Sequence, residues 1–130
     1  MITVLATREG LAGQKTATSY VIDTVVPFVA LPHSAALRLW IWVLNPRNQK
    51  RIKAITLDIG PWETADPYVW QPATLTPGLM VPHDASIRPH AETGMDTRGR
   101  KTNGAGIDLG EAVWKALDLH DNGNVSWEFI

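Results

Sequence analysis

Residues 56–62 read TLDIGPW, and residues 106–117 read GIDLGEAVWKAL. In each stretch one aspartate, Asp58 or Asp108, ends a short apolar run beside a glycine. A strand that ends on a carboxylate and turns at glycine carries that carboxylate to the rim of a sheet. If the two strands end at the same rim, the chain has an acidic site; if not, it has two polar turns. The sequence as a whole favours their meeting.

Working outward from Asp58, residues 51–58 (RIKAITLD) read as a strand. Asn45-Pro46-Arg47-Asn48 before it is a turn, because asparagine favours turn entry and proline fixes its own φ. Residues 37–44 (LRLWIWVL) place Leu37, Leu39, Ile41 and Val43 on one face and Arg38, Trp40, Trp42 and Leu44 on the other. Both faces are largely apolar, which predicts a strand buried on both sides and paired in a hairpin with 51–58. Residues 2–7 (ITVLAT) and 16–22 (TATSYVI) are rich in β-branched residues and predict two earlier strands.

Outward from Asp108, Leu109, Val113, Ala116 and Leu117 recur at helical spacing. Asp108 suits the N-cap, and Glu111 stands three places later as in a capping box. After the turn HDNGN, residues 125–130 (VSWEFI) alternate Val125, Trp127 and Phe129 inward with Ser126 and Glu128 outward, a final strand. Between 62 and 104 periodicity is lost in a proline-bearing stretch, expected to form a long loop insertion over one end of a β-barrel.

In chain order, GQKTATSYVID, VALP, VLNPRN, AITLDIGPW and GAGIDLGEAVWKALDL with the closing NGNVSWEFI resemble the double-psi β-barrel domains of the rare lipoprotein A and expansin group. The pattern spans residues 16–130 apart from the 62–104 insertion. The resemblance implies a mainly β fold, a six-stranded double-psi barrel with one short helix, filling residues 1–130 as a single domain. It also implies that Asp58 and Asp108 face a shared groove with Thr16 or Thr18 beside them, and that the ligand is a cell-wall glycan, peptidoglycan above all. Two departures stand out. Asp108-Leu109-Gly110 replaces the group's Asp-Leu-Ser, and Thr16-Ala17-Thr18-Ser19 replaces its Thr-Ala-Ser-Gly. His33, after Leu31-Pro32, does not register with the histidine of the rare lipoprotein A pattern.

Glycoside cleavage needs a proton donor for the leaving oxygen, and hydrolysis adds a second carboxylate as base or nucleophile. A lytic transglycosylase needs one acid/base group, since the sugar's own hydroxyl attacks the anomeric carbon. Asp108 is then the expected acid and Asp58 its electrostatic partner. The same residues suit a helix cap and an Asx turn, so a structural role stays open. Trp62, Tyr68 and Trp70 follow Asp58 closely, and flat rings suit stacking on a sugar. The alternative function is a non-catalytic module, an expansin-like binder or a phage or prophage structural protein using the barrel as a scaffold.

The bulk numbers narrow the classes. With 130 residues, 45% of them hydrophobic, the chain can bury one real core. A net charge of -1 and scattered basic residues, apart from Arg98-Gly99-Arg100-Lys101, point away from nucleic acid. The glycine-bearing 98–106 stretch lacks the spacing of a phosphate-binding loop. There is no cysteine, so thiolate metal sites and disulfides are excluded. His83 and His90 match no common zinc spacing, and no metal or cofactor is expected. No stretch approaches the ~20 apolar residues of a membrane span. No signal-peptide pattern opens the sequence, so a cytoplasmic or phage-delivered product is expected unless an export signal was removed.

Overall fold

The computed structural model describes residues 1–10, 12–72, 80–82 and 86–130. In chain order these contain β1 (Ile2–Arg8), β2 (Phe28–Leu31), β3 (Trp40–Leu44), β4 (Arg51–Ile59), β5 (Trp70–Pro72), β6 (Met80–Pro82), β7 (Ile107–Leu109), α1 (Glu111–Ala116) and β8 (Gly123–Phe129). Six strands close a mixed barrel in the order β1-β7-β2-β4-β3-β8, and β5 and β6 form a separate hairpin. The protein is mainly β with one short α-helix among the described residues.

Two barrel pairings are parallel, β1 with β7 and β2 with β4. The others are antiparallel. Exchanging β1, β2 and β3 for β4, β7 and β8 returns the same neighbours and the same parallel pairs. The barrel therefore has a pseudo-two-fold topology, consistent with the double-psi β-barrel superfamily.

Alternation fills its interior. Ile2, Val4 and Ala6 of β1, Ile41 and Val43 of β3, Ile107 and Leu109 of β7, and Val125 and Trp127 of β8 are all buried. The Asn45–Asn48 turn joins β3 to β4 and also closes the helix end: Asn45 Nδ2 and Asn48 Nδ2 donate to Leu117 O at 2.9 and 3.1 Å. Those bonds satisfy a carbonyl that a helix C-terminus otherwise leaves open. A helix of 6 residues is too short to persist alone, and burial of Val113 and Trp114 holds it.

Four local expectations are corrected. Residues 16–22 form a turn: Ser19 adopts φ 65°, its N–H bonds Thr16 O, and Lys15–Val21 is an isolated bridge, with no strand over 16–22 among the described residues. Strand β3 begins at Trp40, because Arg38 at φ 67° breaks extension. Its outer face is not buried, since Trp40 is 49% exposed while Ile41 and Val43 are wholly covered; a closed barrel has only one interior. The helix N-cap is Gly110, without a side-chain cap, and Asp108 lies in β7.

The 62–104 stretch is more than a loop. It carries β5 and β6, a 3-10 turn over His90–Thr93 and the bridge Met95–Lys101. It also sends Tyr68 and Val69 into the core.

Candidate functional site

One row of residues crosses four neighbouring strands. Thr7 of β1 pairs with Asp108 of β7, Asp108 with Ala30 of β2, and Ala30 with Asp58 of β4. Asp58 and Asp108 thus sit on either side of Ala30, two strand spacings or roughly 10 Å apart at the backbone. Paired positions share a face of the sheet, so both aspartates point the same way, outward from the barrel.

A β-bulge makes this possible. In β4, Ala54 and Thr56 are buried in the interior, and plain alternation would send Asp58 there too. The register instead skips Leu57: Val29 pairs with Thr56 and Ala30 with Asp58. The extra residue turns Asp58 onto the outer face, a known use of bulges beside sites. The carbonyl of Leu57, freed from the ladder, accepts from Thr18 N at 3.3 Å and Thr18 Oγ1 at 2.8 Å. Thr16 Oγ1 lies 3.0 Å from Thr18 Oγ1, and Ala17 N–H donates to Asp58 Oδ1 at 2.8 Å. Thr16 and Thr18 are therefore brought to Asp58, but their hydroxyls hold the bulge; Thr16 is itself buried.

The structure adds a third carboxylate. Glu9, just past β1, shares a hydrogen bond with Asp58 and lies within the field of Asp108. Burial first, then that hydrogen bond, then the charges of Asp108 and Asp58 push the Glu9 carboxyl up to about 9. Glu9 is consequently protonated at neutral pH and acts as donor to Asp58. Burial also raises Asp108; the Thr7 hydroxyl, which donates to its Oδ1, pulls it back in part, and the charge of Asp58 adds to the rise, leaving it at about 6.

Glu9 has a topological reason to be there. The exchange that relates the two halves of the barrel swaps Val29 and Leu109, which face each other directly. It carries Ala30 to Gly110, and so carries Asp58, the partner of Ala30, to the residue beside Gly110 on the β1 side, Glu9. Glu9 and Asp58 are equivalent positions of the two halves that meet across the axis. The sequence signal was a charged residue before glycine at the end of each strand, REG at 8–10 and DIG at 58–60.

A cleft of about 290 Å³ opens over Glu9 and Asp108, walled by residues 59–64 and by Arg98 and Arg100. Trp62 stands in it at φ 68°. Its Nε1 donates to Asn103 Oδ1 at 3.0 Å, Arg100 donates to its carbonyl at 3.2 Å, and the guanidinium lies 5.7 Å from the ring centre. Buried Asp96 organises the arginine loop, accepting from Arg98 N, Arg100 N and Arg100 Nε at 3.0, 2.7 and 2.5 Å. Buried Glu63 ties that loop to the cleft wall through Thr97 N and Oγ1 at 2.9 and 2.7 Å. Arg98 and Arg100 thus share one cleft with Glu9 and Asp108, while Asp58 is not among its lining residues and reaches the site through its hydrogen bond with Glu9.

The other aromatic residues lie elsewhere. Tyr68 is wholly buried, donates its hydroxyl to Gly106 O and packs edge-on to Trp127 with centroids 6.0 Å apart. It is a core residue and offers no face to a ligand, contrary to the expectation drawn from its spacing. Trp70 packs edge-on to Phe129 at 5.4 Å and lines a separate groove, away from Trp62. His33 caps a 3-10 turn, its Nδ1 accepting from Ala35 N at 3.0 Å, and burial lowers its pKa. The backbone N–H of His90 bonds buried Asp66 at 2.8 Å. His83 and Asp84 lie outside the described residues.

The fold and the rim define a class: a mixed six-stranded barrel, consistent with double-psi barrels, with an acidic cleft at one end. Within that class the chain belongs to the family described as Domain of unknown function (DUF8814), whose model matches residues 1–128. No curated protein matches the chain.

Proposed function

We propose that the rim cleft binds a cell-wall glycan, peptidoglycan in the first instance, and cleaves it weakly by acid–base catalysis of the lytic transglycosylase type. The resemblance to the rare lipoprotein A and expansin group supplies the substrate class. The observation that carries the chemistry is the coupling of Glu9, Asp58 and Asp108 at one rim, with Glu9 held protonated and Asp108 raised to about 6.

A group that gives a proton and takes one back works best with a pKa near the working pH. Asp108 fits that role. It would protonate the glycosidic oxygen as the bond breaks, then as carboxylate accept the proton of the sugar hydroxyl that closes on the anomeric carbon, returning to its starting state. Asp58 keeps the pKa of Asp108 high through its charge. Glu9, neutral, donates to Asp58 and fixes its orientation. Trp62 and the two arginines form the opposite wall, where a ring face and polar substituents would lie.

A second reading has its own support. Asp58 accepts from Ala17 N and Ile59 N at 2.8 and 3.0 Å, and Thr16 and Thr18 are committed to the bulge. These bonds fit a rigid rim that binds without chemistry, as in an expansin-like or phage scaffold module.

Incubation with purified sacculi separates the two. Release of anhydro-sugar ends by the wild type, lost by about 100-fold or more in Asp108→Asn, supports the enzyme. Sedimentation with sacculi without release supports the binding module. Neither release nor sedimentation overturns both.

A further inference from the structure

The charge of the chain is unevenly placed. Residues 24–57 hold Arg38, Arg47, Lys50, Arg51 and Lys53 and no aspartate or glutamate, and all 13 acidic residues lie outside them. Spaced along the sequence these cations look scattered, but the β3–β4 hairpin gathers them. Trp40 and Trp42 alternate with buried Ile41 and Val43, and Arg51, Lys53 and Ile55 alternate with Ile52 and Ala54, which pack into the core. Both sets therefore lie on the outer face, with Trp40 opposite Ile55, Trp42 opposite Lys53 and Leu44 opposite Arg51.

Arg51 and Lys53 close on one ring. The guanidinium lies 4.6 Å and the ammonium 5.1 Å from the Trp42 ring centre. A π face attracts a cation without neutralising it. Both side chains are exposed and have no hydrogen bond or ion pair among the described residues. The same holds for the Arg38 side chain, which the bond from its backbone N–H to Thr56 O at 2.7 Å places at the far end of β4. The neighbouring acids are engaged: Glu128, opposite Trp42 on β8, with the Met1 amino group at 3.5 Å, and Asp118 with Lys50 at 3.9 Å. Free cations thus run along roughly 17 Å of β4, from Arg51 and Lys53, roughly 7 Å apart, to Arg38. Between Lys53 and Arg38 stands Trp40, 49% exposed.

We propose that the outer face of the β3–β4 hairpin binds single-stranded nucleic acid without sequence preference. Arg51, Lys53 and Arg38 would follow successive phosphates, and an unpaired base would stack on Trp40. A line of cations broken by an open aromatic ring matches a linear polyanion that carries flat rings. A bilayer is the poorer match, because it takes protruding apolar side chains, and Trp42, Leu44 and Ile55 are half-covered on this face. A duplex is poorer too, since its bases are already stacked on one another. The face shares no residue with the lining of the acidic cleft and stands whether or not the cleft cleaves glycans.

The test is fluorescence anisotropy with a short labelled oligothymidylate at low salt. Saturable binding is expected, with affinity falling against salt at a logarithmic slope of about −2 for three phosphate contacts. An abasic strand of equal length and charge should bind about fivefold to a hundredfold more weakly, the scale of one stacked base. The double variant Arg51→Gln, Lys53→Gln should bind about tenfold more weakly with a slope near about −0.7, whereas Lys101→Gln, Lys115→Gln, which removes the same charge elsewhere, should stay within about twofold of the wild type. Circular dichroism checks the fold of both, and the slope and the abasic strand need no variant. Absence of saturation, equal binding of the abasic strand, or equal losses in the two double variants would each overturn the proposal. Tighter binding to phosphatidylglycerol vesicles than to the oligothymidylate would assign the face to a membrane and overturn it as well.

Discussion

Asp58 and Asp108 flank Ala30 in a single row across β4, β2 and β7, although 50 residues separate them in the chain. The small side chain between them leaves their carboxyls in one electrostatic environment, and Asp108 registers the charge of Asp58 directly. Replacing Asp58 by asparagine keeps an acceptor for Ala17 N and removes only the charge. The Asp108 pKa, followed by carbon NMR of its carboxyl, is then expected to fall from about 6 toward the ordinary carboxylate range. An unchanged value would mean that burial alone holds it.

Stability is expected to decline as pH rises. Glu9 is raised from 4.5 to about 9 and Asp108 from 3.8 to about 6, so the folded chain holds these protons more tightly than the unfolded one. Their contribution is complete below about pH 4, fades through pH 6 as Asp108 ionises, and continues to fade to about pH 9 through Glu9. Glu9→Gln removes the second phase. At pH 8 it should stabilise the protein by on the order of 2 kcal/mol after solvent screening is allowed for. Urea denaturation of both forms at pH 5 and pH 8 measures the difference.

Gly110 answers why this chain reads Asp-Leu-Gly. A Cβ at this position would lie 2.6 Å from Phe28 Cε1 and 2.9 Å from Phe28 O, closer than packing permits. The conformation itself, φ -64°, is open to any residue, so the constraint is space. Gly110→Ala is expected to lose about 1–3 kcal/mol through overpacking, and Phe28→Leu in the same chain should restore part of it. Thermal melts of the single and double variants give the comparison.

Tyr68 and Trp62 should separate cleanly. Tyr68→Phe leaves Gly106 O without its hydroxyl donor and is expected to cost about 1–3 kcal/mol. Trp62→Ala is made at a partly exposed ring on the cleft. It should cost less stability than the ~3–5 kcal/mol of a buried tryptophan, while weakening sedimentation with sacculi. A large loss of stability with unchanged binding would remove Trp62 from the binding wall.

Several features were determined by the sequence alone because their causes are local. The alternation of Val125 and Trp127, the Asn45–Asn48 turn between two apolar strands and the helical recurrence of Val113, Ala116 and Leu117 each reflect periodicity or turn chemistry within a few residues. The short strand β2 was hidden, since 4 residues carry little pattern and its partners are remote in the chain.

The tertiary structure decided the rest. Residue 57 bulges because the ladder with β2 slips by one, and that slip puts Asp58 on the face of Asp108. Glu9 becomes a protonated group only when the two halves of the barrel bring it against Asp58. Tyr68 goes to the core and Trp62 to the cleft, although 6 positions apart in one proline-bearing stretch. Such a stretch has no period to assign its side chains to a face, and burial is settled by whatever the closed barrel leaves open. A carboxylate's proton affinity likewise depends on the solvent and charges around it, and those are supplied by strands from the far ends of the chain.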